Sequence, residues 1–132
     1  MNKPEPIIKD NFSLIGFSCD NAINATWTGI SGCPIVNETD VMVLIQPSYM
    51  YIINSGDELQ SWEEPEDVVV NYNDMSFYKS YEEFMEGCPY AGSCYLMLTF
   101  TPQVIIDGQL YKGSSITVSF DEMGNVSGVD VP

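Results

Sequence analysis

Only one segment of the chain, Asn73–Gly87 (NDMSFYKSYEEFMEG), has apolar residues at helical spacing. The other apolar stretches are short: some alternate with a period of two, as Ile23–Trp27 and Ile116–Phe120 do, and others are brief β-forming runs such as Val41–Ile45 bounded by turn residues. A chain of this kind has to close its core with strands. Strands are expected over Phe12–Ser18, over Ile23–Gly29 with Ile23, Ala25 and Trp27 turned inward, and over Val41–Ile45. After the break at Gln46-Pro47-Ser48, Tyr49–Ile53 should return as an antiparallel neighbour. Val68–Tyr72, Cys94–Thr101, a hairpin folded at Asp107-Gly108, Ser115–Phe120 and Val126–Val131 complete the set. An Asp-Gly pair favours a two-residue hairpin because both positions need positive φ.

The helix is predicted over about 74–86. Asn73 or Asp74 would cap it, Phe77, Tyr81, Phe84 and Met85 would form its buried stripe, and Gly87 would end it. The expected fold is therefore α+β and mainly β: an antiparallel sheet, its last four strands in a meander, with a single helix packed across it. At 132 residues the chain has room for one hydrophobic core. Residues 1–10, with Pro4 and Pro6, read as an extended N-terminal arm, and 11–132 as a single globular domain.

Charge narrows the function more than any motif does. Nineteen acids oppose four lysines, with no histidine, for a formal net charge of −15; Lys3, Lys9, Lys79 and Lys112 are the only cations, so arginine is absent. Such a field repels nucleic-acid phosphate and anionic lipid, and it draws in basic partners from a distance. It excludes direct nucleic-acid binding. The simpler reading, that acidity serves solubility alone, stands beside this one. The surface can receive a partner's arginines and has none of its own to offer for bidentate recognition.

Catalytic chemistry finds little support. Without histidine the usual serine and cysteine triads cannot form. No glycine-rich phosphate loop is present, and no Asp-x-Asp-x-Asp-Gly calcium loop. Carboxylate pairs such as Glu63 and Glu64, or Glu82 and Glu86, fall on an expected loop and helix face rather than in a cleft suited to glycoside hydrolysis. The expectation is a protein that is not an enzyme and needs no cofactor or metal.

Four cysteines, Cys19, Cys33, Cys88 and Cys94, permit three pairings. The simplest is local, Cys19–Cys33 with Cys88–Cys94, and disulfides of this kind favour an oxidising compartment. Zinc is a poor fit, because the intervals are neither C-x2–4-C nor accompanied by histidine. Free buried thiols in a cytosolic protein are the remaining alternative. Asn-x-Ser/Thr triplets begin at Asn11, Asn24, Asn37 and Asn125, somewhat more than chance placement gives. The N-terminus lacks the pattern of a signal peptide, so the compartment is left open between the cytosol and an exported mature form. No apolar run is long enough to span a membrane as a helix.

One feature reads as a recognition element. Asp57, Glu58, Glu63, Glu64, Glu66 and Asp67 surround Trp62 in a single acidic stretch, and Glu82, Glu83 and Glu86 of the helix, with Tyr72 and Tyr78, extend it. Carboxylates would steer a basic protein and Trp62 would supply the desolvated anchor. The bland alternative is a solvated loop whose Trp62 folds back on the core. The expected function is a small binding protein that neutralises a basic partner by occlusion, of the immunity-protein or enzyme-inhibitor type. The alternatives are a cytosolic nucleic-acid mimic, such as a phage-encoded antagonist of host defence, and a structural or surface accessory module. A homodimer is compatible with all three.

Overall fold

The computed structural model describes residues 5–20, 23–33, 40–51, 66–71, 74, 76–85, 94–121 and 123–131. The chain is mostly β, with antiparallel sheets dominant and the largest of them curled into a half-barrel. Among the described residues the strands are β1 (Ile7–Ile8), β2 (Ser13–Ile15), β3 (Ser18–Cys19), β4 (Asn24–Thr26), β5 (Gly29–Ser31) and β6 (Met42–Tyr51). They continue as β7 (Val68–Asn71), β8 (Ser76–Tyr78), β9 (Cys94–Ile106), β10 (Gln109–Lys112), β11 (Ile116–Phe120) and β12 (Val126–Asp130), with helix α1 at Tyr81–Met85.

The large sheet is organised around β9. One edge of β9 takes β6 over Cys94–Gln103. The other takes β10 over Gln103–Ile106 and β11 over Met97–Phe100. Gln103 is paired with both Met42 and Lys112, and Phe100 with both Ile45 and Ile116, so β10 and β11 must follow one another along the edge that β6 does not use. The expected meander is present in this modified form: β9 returns as β10 and β11 together, and β12 then pairs with β11. Asp107 (φ 50°) and Gly108 (φ 80°) form the predicted hairpin turn.

Two prolines lie inside strands where the sequence alone suggests breaks. β6 runs unbroken through Pro47, and β9 through Pro102. A proline is tolerated in a sheet at an edge or a bulge, where its missing N–H deprives no neighbour. β7 ends opposite Ile45, so the far side of β6 has no ladder partner at Pro47 among the described residues. Pro102 faces a bulge. Residues 113–115 oppose only Thr101 and Pro102, with Lys112 paired to Gln103 before them and Ile116 to Phe100 after. The Gly113 amide donates to the Pro102 carbonyl at 2.9 Å, and a part-buried hydroxyl pair, Thr101 and Ser115 at 2.7 Å, closes the gap. A side chain at 113 would collide with the Phe12 carbonyl, which explains the glycine.

The N-terminal strands form one long hairpin in two pieces. β2 pairs with β5 and β3 with β4 in a common register, interrupted where Gly16 takes φ 66°. Thr28 ties the interruption together by donating its amide and its hydroxyl to the Ile15 carbonyl, at 2.8 and 3.1 Å. Ile23, Ala25 and Trp27 are buried as their alternation predicts. Part of the expected arm is docked: β1 runs parallel to β10, and the Gln109 side-chain amide donates to the Glu5 carbonyl at 2.7 Å.

The helix is shorter than its periodicity predicts. Ser76–Tyr78 is a strand paired with β4, and α1 begins only at Tyr81. Ser76, Phe77 and Tyr78 alternate exposed, buried, exposed, so this segment satisfies a period of two as well as one of 3.6. Pairing Phe77 with Ala25 decides between them. The cap is Ser80, not Asn73 or Asp74: its hydroxyl accepts the Glu83 amide at 3.2 Å, the first half of an S-x-x-E capping box. The Tyr49 hydroxyl donates to the Phe84 carbonyl and holds the helix end on the sheet.

Phe100 joins these parts. It is fully buried between Ile45 and Ile116, and its ring centroid lies 4.9 Å from Phe17 of the hairpin and 6.3 Å from Phe77 of β8. Phe77 passes the contact on to Phe84 at 6.2 Å. Phe100→Ala is expected to cost about 3–5 kcal/mol in urea denaturation, whereas the exposed Val69→Ala should stay within about 1 kcal/mol.

Candidate functional site

The acidic residues singled out above divide into three groups. Asp57, Glu58, Trp62, Glu63, Glu64, Glu86 and Tyr72 lie outside the described residues. Glu66 and Asp67 immediately precede β7 and are exposed; the Gln46 side-chain amide donates to an Asp67 carboxylate oxygen at 3.5 Å. Glu82 and Glu83 occupy the first turn of α1, also exposed. On β6, Gln46 faces outward while Tyr49, which holds the α1 carbonyl, faces the core. The two described acidic groups are therefore anchored from opposite faces of the same strand.

The helix carboxylates border a cleft that the sequence does not announce. It lies between the β8–α1 corner and the turn before β12, encloses about 270 Å³, and is lined by Tyr78, Ser80, Tyr81, Glu82, Met123 and the Gly124-Asn125 backbone corner. Tyr78 is 65% exposed and Met123 78% exposed, two large side chains left in water at one concave place. The far wall is held rigidly. Asp121 accepts the amides of Met123 and Asn125 on one carboxylate oxygen, both at 2.9 Å, and the Gly124 amide donates to the Asp121 carbonyl at 3.1 Å. Tyr81 in turn donates its hydroxyl to the Asp121 carbonyl at 3.4 Å. Gly124 has φ 86°, and a Cβ there would lie 2.9 Å from the Tyr81 ring, so helix and turn approach as closely as they do only with glycine between them.

The sequence treats Asp121–Asn125 as a plain turn. The same end-closing hydrogen bonds occur twice in the chain. In Asp20–Asn24 and again in Asp121–Asn125 the aspartate amide donates to the asparagine carbonyl (3.3 and 2.8 Å), and an aspartate carboxylate oxygen accepts the asparagine amide (3.0 and 2.9 Å). The position before the asparagine has positive φ in each: Ile23 at 56° and Gly124 at 86°. Both asparagines begin Asn-x-Ser/Thr triplets, and with Asn11 all three described examples are exposed.

The cysteines correct one expectation. Cys19 and Cys33 are free thiols, so the local Cys19–Cys33 disulfide is absent. The register gives the reason: Cys19 pairs with Ala25 at the closed end of the N-terminal hairpin, whereas Cys33 lies beyond Ser31, which pairs with Ser13 at the open end. A bridge needs Cα atoms within about 7 Å of each other. Cys88 and the side chain of Cys94 lie outside the described residues; the Cys94 backbone starts β9. Among the described residues, no three His, Cys, Asp or Glu side chains converge as a metal site.

No family model, no curated protein and no solved structure matches the chain.

Burial, reinforced by the adjacent Asp20 carboxylate, pushes the Cys19 thiol up from 9.0 to about 11. The thiolate is the reactive form, so a raised value slows alkylation at neutral pH. Cys19 is expected to react with iodoacetamide at least about tenfold more slowly in the native protein than in the urea-unfolded chain, as read by peptide mass spectrometry. Linkage has the same direction: the stabilisation tied to the neutral thiol is present below pH 9 and is lost as pH rises towards 11.

Proposed function

We propose that this protein is a small, non-catalytic acidic binding protein that neutralises or inhibits a basic macromolecular partner by occlusion. The observation that carries the reading is the charge: nineteen acids against four lysines, and no arginine. One of those lysines is already engaged, with the Lys79 amine 4.6 Å from the centroid of the Phe84 ring. A surface this one-sided speeds encounter with a cationic protein and opposes nucleic acid and anionic membranes. The acidic stretch from Asp57 to Asp67 around Trp62 and the helix carboxylates Glu82 and Glu83 are the surfaces assigned to the contact.

The test begins with affinity capture on the immobilised protein, run beside a triple variant carrying Trp62→Ala, Glu63→Lys and Glu64→Lys. A partner retained by the native protein and lost by the variant is then measured directly. Its association rate is expected to fall at least about tenfold when salt rises from about 50 to about 500 mM, with a smaller effect on dissociation. A partner whose affinity is untouched by the three substitutions would remove the Trp62 segment from the site.

The free thiols of Cys19 and Cys33 favour a second reading, in which the carboxylates imitate phosphates and fill the nucleic-acid channel of a cytosolic protein. Duplex DNA added to the complex separates the two: it displaces a mimic and leaves an occluding inhibitor in place.

A further inference from the structure

We infer that the cleft between Tyr78 and Met123 is a receptor for a single arginine side chain presented by the basic partner. This inference rests on the binding reading above and assigns that reading a specific contact. Three properties of the cleft select the occupant. Its volume of about 270 Å³ admits one long side chain and falls below the range of sites that enclose drug-sized ligands. Its walls combine aromatic faces (Tyr78, Tyr81), a polarizable thioether (Met123) and one carboxylate (Glu82), which suit a flat cation with an apolar stem. The field around it, from a net charge of −15, excludes anions and attracts cations.

The described cation nearest in sequence does not occupy the place. The sequence contains no arginine, and Lys79, which immediately precedes the cleft residue Ser80, turns its amine onto the Phe84 ring instead. The cleft is also preorganised. Asp121 fixes the turn through both amides, Tyr81 is hydrogen-bonded to the same turn, and Gly124 packs against the Tyr81 ring. An arginine entering between Tyr78 and Met123 would meet a backbone wall and a Tyr81 ring already fixed, and would order the exposed Tyr78, Met123 and Glu82 side chains. Arginine is favoured over lysine because the guanidinium is planar, weakly hydrated and stacks on aromatic rings, whereas the ammonium is a compact and strongly hydrated point charge.

The experiment is a titration of the isotopically labelled full chain with three blocked tripeptides, acetyl-Gly-X-Gly-amide, where X is arginine, lysine or the neutral isostere citrulline. Amide shifts in the NMR spectrum report the site. The expected result is a saturable shift of residues 78–82 and 123–125, strongest with arginine and absent with citrulline. Tyr78→Ala and Glu82→Gln should each weaken arginine binding about threefold to tenfold. Both side chains are exposed, so neither variant threatens the fold, and an unchanged spectrum elsewhere verifies this. Equal shifts from citrulline, or lysine binding as tightly as arginine, would overturn the assignment. Shifts from the arginine peptide that map to residues outside the cleft would overturn it too, while leaving the acidic binding protein intact. No response to either cationic peptide at low salt would count against both.

Discussion

The burial of one face of a single strand underlies the rest of the molecule. Leu96, Leu98, Phe100 and Val104 of β9 are fully buried, and Leu98 and Phe100 are each opposed across both edges by partners on the same face. Ile45 and Ile116 flank Phe100, and Pro47 and Val118 flank Leu98. Cross-strand pairs of this kind are the unit of sheet stability, and a slip of one residue would turn the whole set into water. Phe100 extends the constraint beyond the sheet, because the rings of Phe17 and Phe77 pack on it from the N-terminal hairpin and from β8. Phe12, Leu14, Ile23, Trp27 and Ile30 of the hairpin enter the same core, so the ring contact is one of several that hold the smaller sheets in place.

Local conflicts are resolved in favour of this face. Ile23 holds φ at 56°, a region costly for a β-branched residue, where the equivalent turn uses Gly124. Such strain is of order 1–3 kcal/mol, and the complete burial of the isoleucine side chain offsets about that much. Pro102 tells the same story on the large sheet. The chain accepts a bulge at Gly113–Ser115 rather than end β9 early, because ending it would forfeit Val104 and the hairpin that follows. Trp27 is buried with its indole N–H unpartnered among the described residues, a polar cost that its large apolar surface outweighs.

The surface is organised by a different rule. Of the carboxylates assigned to binding, the described ones are carried by a strand approach at Glu66 and Asp67 and by a short capped helix at Glu82 and Glu83. The helix is one wall of the cleft and the second Asp–Asn turn is the other. The positions that give the cleft its shape, Ser80, Tyr81, Asp121 and Gly124, also hold the fold together at that corner. A binding contact built there would share its rigidity with the scaffold, while in the proposed binding role the acidic stretch around Trp62 would supply long-range attraction that depends on charge and little on geometry.

The strand-rich class, the inward faces of the Ile23–Trp27 and Ile116–Phe120 segments, the Asp107-Gly108 turn and the strongly negative charge are all legible in the sequence. Each of these follows from short-range chemistry: a period of two, a pair of residues that accept positive φ, or a sum over side chains. Tertiary structure alone decided the continuity of β6 and β9 through their prolines, since whether a missing N–H matters depends on what lies beside it. It decided that Ser76–Tyr78 is a strand, because two periodicities fit the segment and Ala25 was available to pair with Phe77. It also separated Cys19 from Cys33 by placing them at opposite ends of one hairpin. The cleft belongs to the same class, for Tyr78 and Met123 are 45 positions apart in the chain and meet only because Gly124 lets a turn settle against the Tyr81 ring.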